Sequence, residues 1–233
     1  YFVSRGYVVL FLNMPLKGSN NNPTINVPGF GNLKFAKHEQ LKFLETESFS
    51  PIKYFLEPLW ANINYAKKIA RIKSISMLGL SGGAALTVLY AAIDSRVTAS
   101  YPVAGTAPMF TRFALPETHW GDYEQTHPKL YGIASELDLY LMATDGPGRR
   151  QMQVFNKFDP CCFPGVDFRV YESKWLKFQK HWAAVASVLR STQRISTTES
   201  PTRRRPLLKP IFELVNGSGL ELGGPHTLPL RPR

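Results

Sequence analysis

The stretch SISMLGLSGGAALTVLYAAIDSRV, from Ser74 to Val97, decides the fold of this chain. Its opening residues, Ser74 to Leu78, form a short apolar run that predicts a buried β-strand. The small and apolar residues from Gly82 to Ile93 have helical spacing and predict a helix. A turn at 94–96 leads into Val97 to Val103, which predicts another strand. Strands that alternate with helices predict a parallel sheet in an α/β fold.

Upstream of this stretch, the sequence predicts a strand, an irregular segment and a helix. Gly6 to Leu12 is a continuous run rich in Val and aromatic residues, which predicts a buried strand. Residues 13–34 are rich in Gly, Asn and Pro and predict irregular structure. The dipeptide Ser50-Pro51 is typical of a helix start, and the apolar spacing predicts a helix from there to about Lys68. Pro58 either bends this helix or marks its true start.

Downstream, the strand at 97–103 is followed by a long connection. We expect residues 105–145 to form a lid or connection, in which Lys129 to Ala143 predicts a helix. Gln151 to Phe155 predicts the next strand, and Phe168 to Lys174 is interpreted as the beginning of a crossover helix.

The motif at the centre of the deciding stretch is Gly79-Leu80-Ser81-Gly82-Gly83, which fits G-x-S-x-G. A match of this kind arises by chance in roughly one chain in ten of this length. A strand before it and a small-residue helix after it make the match far more specific, because a nucleophilic serine needs a sharp strand-to-helix turn. Bulky neighbours would clash there. The competing interpretation is an ordinary glycine-rich turn or a phosphate-binding turn.

Because of this motif and its setting, the chain resembles the α/β-hydrolase superfamily, in its esterase/lipase-like branch. The resemblance covers residues 1–174 and rests on three segments: SRGYVVLFLNMPLKG, SMLGLSGGAALTVLYAAIDSRVTASYPVAG and GRRQMQVFNKFDPCCF. It implies an α/β-hydrolase-type, mostly parallel sheet with flanking helices, whose early strands are missing because the chain is N-terminally truncated. It also implies a serine hydrolase that cleaves carboxylic esters through an acyl-enzyme intermediate.

The resemblance implies a catalytic triad in the chain order serine, acid, histidine. Ser81 is then the nucleophile, and the Gly82 N–H is an oxyanion-hole donor. Asp159 follows the predicted strand at 151–155 and is the expected acid, against the alternative that Asp159-Pro160 is a plain turn. Among the five histidines, two follow Asp159, and His181 lies just before a predicted final helix. The predicted triad is therefore Ser81, Asp159 and His181.

A topological difficulty concerns the end of the chain. The last two parallel strands need a crossover of a dozen or more residues, so the last strand and its histidine should follow Lys174. The stretch RSTQRISTTESPTRRRPLLKP at 190–210 offers neither, although a one-base shift across Ser191–Thr202 can be back-translated into a family-like stretch. We therefore hypothesise a change of reading frame near residue 175. Residues 1–174 carry 18 Lys/Arg and 14 Asp/Glu, whereas residues 175–233 carry 10 and 3, and this charge shift agrees with the hypothesis.

The length and composition of the chain limit which classes of protein it can belong to. At 233 residues and 44% hydrophobic, the chain predicts a partial α/β-hydrolase-like domain at 1–190 and a basic, Pro/Arg-rich disordered tail at 191–233. No apolar run reaches the roughly 18 residues of a membrane span. We expect a small-molecule ester as substrate, no cofactor, no metal and no nucleic-acid partner. The alternative function is a truncated, non-catalytic α/β-hydrolase remnant that binds a partner through its basic tail.

Overall fold

A computed structural model describes residues 1–113, 115, 120–159, 163 and 166–177 of the chain. The strands are β1 (Thr24–Val27), β2 (Gly31–Lys34), β3 (Ile75–Leu80), β4 (Val97–Val103) and β5 (Arg150–Gln151). The α-helices are α1 (Ile52–Ile69), α2 (Gly82–Ile93), α3 (Met109–Arg112), α4 (Tyr123–Thr126), α5 (Pro128–Ile133) and α6 (Glu136–Thr144). Two 3-10 helices cover Val3–Arg5 and His38–Leu44, and residues 169–177 are helical.

Three parallel strands in the order β3-β4-β5 form the main sheet. The pairing of β3 with β4 runs from Ile75 opposite Val97 to Leu80 opposite Val103. β5 is shorter than predicted: after Arg150 and Gln151, only a bridge between Val103 and Val154 continues it. The predicted parallel sheet of an α/β fold is thereby confirmed.

Helix α2 lies at the centre of the molecule and packs against β3, β4 and α6. Ten of its twelve residues are buried, as expected for a helix that is apolar on every side. Strand β3, in contrast, is only half covered. Its residues alternate between partly buried and exposed, and Leu78 and Leu80 are 67% and 66% exposed. The predicted full burial of this strand is therefore wrong for one face, which no described element covers.

The segment at 13–34, predicted to be irregular, contains an antiparallel hairpin. Strand β1 pairs with β2 from Thr24 opposite Lys34 to Val27 opposite Gly31. Gly29, in the turn between the strands, has φ 80°, and Gly31, the first residue of β2, has φ 75°. Residues with a side chain are strained at such φ values. Each strand has only four residues, so its alternation of polar and apolar side chains is too short to predict a strand in a segment rich in turn residues.

The predicted strand at Gly6 to Leu12 is wrong. Within the described part of the chain, this segment pairs with no strand, and Tyr7, Val8 and Phe11 are exposed. A strand requires a neighbour that satisfies its backbone groups, and an apolar sequence alone does not supply one.

Helix α1 begins as predicted, next to Ser50. The Ile52 N–H donates to Ser50 Oγ at 3.4 Å, and the helix ends at Ile69, within a residue of the prediction. Pro58 lies inside the helix and therefore does not mark its start. The helix buries Phe55 and other apolar side chains in the core.

The single helix predicted over Lys129 to Ala143 is divided into α5 and α6. Ser135 caps α6: its Oγ accepts a hydrogen bond from the Asp138 N–H at 3.3 Å, and Asp138 Oδ2 accepts from the Ser135 N–H at 2.9 Å. This reciprocal capping box starts a new helix and thereby interrupts the apolar periodicity. The helical residues 169–177 agree with the predicted crossover helix. Among the described helices, none has both the length and the apolar character that crossing a bilayer requires.

Candidate active site

Ser81 occupies the turn that joins β3 to α2. Its backbone has φ 56° and ψ −126°, a conformation that residues with a side chain rarely adopt. Backbone hydrogen bonds hold the turn: the Ser81 N–H donates to the Val103 carbonyl at 3.0 Å, and the Ser81 carbonyl accepts from the Ala84 N–H at 2.7 Å. The residue is exposed, and its hydroxyl bonds to none of the residues that the structure describes.

Two glycines permit this turn. A Cβ at position 79 would lie 1.9 Å from the Gly83 carbonyl oxygen, and a Cβ at position 105 would lie 1.8 Å from the Ser81 carbonyl oxygen. At Gly83 no described atom outside the neighbouring residues and the backbone of α2 itself lies within 4 Å of such a Cβ, so the predicted crowding on that side is wrong. The sequence analysis did not identify Gly105, which follows β4 and contacts the turn only through the fold.

Ser81 and Asp159 line the same pocket, whose volume is about 410 Å³. Its other lining residues come from the carboxyl ends of the three parallel strands and the segment after them: Leu80, Val103, Ala104, Val154, Phe155, Asn156 and Phe163. Most of these side chains are apolar. A pocket of this size, at the carboxyl edge of a parallel sheet, lies in the range that holds small ligands.

Asp159 ends a turn that follows the last strand. Its N–H donates to the Asn156 carbonyl at 3.2 Å, and Asn156 Oδ1 accepts from the Phe158 N–H at 3.1 Å. The residue is half-buried at the pocket wall. The turn that was the alternative interpretation of Asp159 is therefore present, and Asp159 also lines the pocket of the predicted nucleophile, Ser81.

The predicted base, His181, lies outside the described residues, as do His119, His226 and the tail at 191–233. The described histidines are His38 and His127, and neither lines the Ser81 pocket. The structure therefore brings together two of the three predicted triad residues, together with Gly82, which begins α2 directly after Ser81.

A buried charged cluster, which the sequence analysis missed, lies behind the turn. A Cβ at position 82 would lie 2.3 Å from Glu124 Oε1, so the Glu124 carboxylate packs against the first residue of α2. His38 Nδ1 lies 3.0 Å from Glu124 Oε2 and 3.5 Å from Asp122 Oδ2. Burial by itself would lower the pKa of His38, but the carboxylates of Asp122 and Glu124 raise it to about 10.

A second buried network surrounds Glu45 at the end of the 3-10 helix. Glu45 Oε2 accepts hydrogen bonds from Tyr123 Oη at 2.6 Å, His127 Nε2 at 3.0 Å and Ser50 Oγ at 3.2 Å. Burial by itself would raise the pKa of Glu45, but the bonds from Tyr123 and His127 lower it below its ordinary value. His127 Nδ1 accepts from the Leu130 N–H at 3.2 Å and thereby caps α5, so one ring nitrogen holds the start of α5 and the other bonds to Glu45.

No match to this chain was found among protein-family models, curated proteins or solved structures. The assignment of a function therefore depends on the geometry of the site.

Proposed function

We propose that this chain is a serine hydrolase of the α/β-hydrolase type, which acts on carboxylic esters through an acyl-enzyme intermediate. The observation that carries the proposal is the position of Ser81: an exposed serine at φ 56°, between a strand and a helix, in one pocket with a carboxylate. Serine nucleophiles on parallel sheets use this kind of turn because it keeps Oγ clear of the backbone at the sheet edge.

In the proposed reaction, Ser81 Oγ attacks the ester carbonyl carbon and transfers its proton to the base, for which His181 is the candidate. The tetrahedral intermediate collapses, and the alcohol leaves with that proton. Water then attacks the acyl-enzyme, releases the carboxylic acid and restores the Ser81 hydroxyl. Asp159 holds the histidine in the correct tautomer and stabilises its charged form.

Two features support the oxyanion and acyl sites of this mechanism. Gly82 is the first residue of α2, so its N–H has no acceptor within the helix and lies at the positive end of the helix dipole. Such an amide can stabilise the oxygen that becomes negative in the tetrahedral intermediate. The apolar lining of the pocket, which includes Val103, Val154 and Phe155, suits the hydrocarbon part of an acyl group.

A fluorophosphonate probe tests the nucleophile directly. We expect one phosphonyl group per chain, located at Ser81 by peptide mass spectrometry, and no labelling of Ser81→Ala. The matched control is Ser76→Ala, which removes another exposed serine, on β3, and should leave labelling unchanged. Labelling that persists in Ser81→Ala would contradict the assignment.

The base and the acid are tested by rates of p-nitrophenyl ester hydrolysis. Loss of a triad member typically lowers kcat by about 10⁴-fold, so we expect reductions of that order for Asp159→Asn and His181→Gln. His226→Gln, the other histidine after Asp159 in the sequence, is the control. If His226→Gln abolishes activity and His181→Gln does not, the base assignment is wrong while the nucleophile stands.

The alternative, a non-catalytic remnant of the same fold, is favoured by one observation: neither described histidine lines the pocket. A thermal melt combined with probe labelling separates the two functions. A chain that unfolds cooperatively but is not labelled by the probe would support the non-catalytic function.

A further inference from the structure

The cluster behind the Ser81 turn contains three side chains of the kinds that bind metals. His38 begins the 3-10 helix, Asp122 precedes α4, and Glu124 lies within α4. One ligand atom from each lies within 4.8 Å of the other two. We propose that His38 Nδ1, Asp122 and Glu124 bind a divalent transition-metal ion of the Zn²⁺ type. This goes beyond the proposed hydrolase function and does not depend on it.

The distances within the cluster suit one small ion. Zn²⁺ binds histidine nitrogen and carboxylate oxygen at 2.0–2.2 Å, so neighbouring ligand atoms in a tetrahedral site are about 3.3–3.6 Å apart. His38 Nδ1 lies 3.0 Å from Glu124 Oε2 and 3.5 Å from Asp122 Oδ2. The first of these distances has to lengthen by a few tenths of an ångström to hold an ion, and the third distance, between the Asp122 and Glu124 oxygens, is at most 4.8 Å.

The Glu124 carboxylate is the observation that points to a ligand. Its side chain is fully buried, and Oε1, which packs against Gly82, has no hydrogen-bond partner among the described residues. Oε2 and His38 Nδ1 face each other as an ion pair at 3.0 Å and have no further hydrogen-bond partner there. Buried polar atoms are nearly always hydrogen-bonded, and a single proton on Nδ1 cannot satisfy both oxygens of the carboxylate, so the cluster requires an explanation. A cation shared by the three side chains would replace that proton.

The other nitrogen of His38 is already oriented for this role. Nε2 lies 2.7 Å from the Pro15 carbonyl oxygen, which can only accept, so Nε2 carries the hydrogen. In the neutral ring, Nδ1 then presents its lone pair to the two carboxylates. A histidine that ligates a metal commonly donates its second N–H to a backbone carbonyl in this way.

The net charge of the three side chains and the access of the cluster to solvent both agree with a divalent ion. With a proton on Nδ1, the three side chains carry a net charge of −1, whereas a divalent ion on the neutral ring makes the site neutral. Asp122 is 45% exposed, so an ion has a path to the site from solvent. The ion would join the 3-10 helix to α4 beneath the first turn of α2, which makes its role structural.

The proposal is tested on the full chain without an added histidine tag, by titration with Zn²⁺ and by X-ray absorption of the loaded protein. We expect one equivalent to bind, with only nitrogen and oxygen ligands at 2.0–2.2 Å and one imidazole. Binding should also raise Tm in proportion to the logarithm of free Zn²⁺. No stoichiometric binding, or a sulfur ligand in the spectrum, would overturn the proposal.

Variants locate the site. Loss of an outer-shell partner alone typically lowers metal affinity 10–100-fold, so His38→Gln and Glu124→Gln should each weaken Zn²⁺ binding more than about 100-fold. The matched control is His127→Gln, which removes the other buried histidine with a carboxylate at 3.0 Å but leaves the cluster intact. Unchanged affinity in His38→Gln would contradict the site. If the variants do not fold, the absorption spectrum of the unmodified chain still decides between the outcomes.

Discussion

Ser81 and Ala104 are two of the three described non-glycine residues with positive φ, and both line the pocket. A strained residue of this kind costs on the order of 1–3 kcal/mol and persists only where the surrounding structure requires it. Two contacts maintain the strained backbone of Ser81. The last residue of β4 accepts a hydrogen bond from the Ser81 N–H, and Gly105 leaves room for the Ser81 carbonyl. Two of the three strained residues therefore lie in the wall of the proposed active site.

Gly79→Ala tests how tightly this turn is packed. The new Cβ would meet the Gly83 backbone at 1.9 Å, and backbone atoms cannot rotate away, so we expect a loss of at least about 2 kcal/mol in the free energy of unfolding. The control is Gly83→Ala, whose Cβ would meet nothing within 4 Å in a helix. It should be neutral or stabilising by up to about 1 kcal/mol. Urea denaturation measures both, and equal effects would contradict the packing argument.

At the scale of elements, the division between α5 and α6 depends on Ser135. Replacing an N-cap serine by alanine costs about 1 kcal/mol, so Ser135→Ala should lower the free energy of unfolding by that amount. Ser74→Ala, at an exposed position before β3, is the control and should change it by less than about 0.5 kcal/mol. If Ser135→Ala has no effect on urea denaturation, the cap does not define the start of α6.

The Glu45 network predicts a pH-dependent stability. Because the folded pKa of Glu45 lies below its unfolded value, the ionised form stabilises the fold. This contribution is fully present above the unfolded pKa of about 4.3 and is lost as the pH falls through the folded pKa. Glu45→Gln should therefore be about 1 kcal/mol less stable than the unchanged chain at pH 7, and the difference should shrink below pH 4.3.

Denaturation curves between pH 3 and 7 check this prediction for Glu45→Gln, with Glu47→Gln, at an exposed position nearby, as the control. A difference that stays constant down to pH 3 would show that the charge of Glu45 is not what connects the 3-10 helix to α4 and α5.

At the scale of the whole molecule, Arg112 holds together the connection between β4 and β5. Its guanidinium bonds to Glu136 at 2.5 Å, to the Gln125 carbonyl at 3.1 Å and to the Trp120 carbonyl. Both partners of the ion pair are nearly fully buried. Three separate segments of the chain therefore contact the buried guanidinium of Arg112.

Arg112→Met leaves the Glu136 carboxylate buried without its counter-charge, so we expect a loss of about 3–5 kcal/mol in the free energy of unfolding. Adding Glu136→Gln removes the unpaired charge and should recover part of that loss. Lys53→Met, in a surface pair on α1, is the control and should cost less than about 1 kcal/mol. A double variant that is less stable than Arg112→Met alone would contradict the argument.

The sequence predicted what depends on neighbouring residues. The strand, turn and helix from Ile75 to Ile93 follow from local periodicity and from glycines placed around Ser81, and the structure has them with nearly the same bounds. Helix α1 was predicted for the same reason, because its cap and its apolar spacing are local features. That Asp159 lines one pocket with Ser81 agrees with the rule that parallel strands end at one edge of the sheet.

Only the tertiary structure decided the rest. The segment at 6–12 has the composition of a strand, but strand pairing needs a partner elsewhere in the chain, and no described strand pairs with it. His38 lies far in the chain from Asp122 and Glu124, and the three residues form no sequence motif, so only the packing of the 3-10 helix against α4 brings them together. Local sequence patterns determine helices, strands and turns. The partners, burial and pKa values of charged residues on different elements are determined only by tertiary packing, because packing sets which groups lie near each other and how far water is excluded.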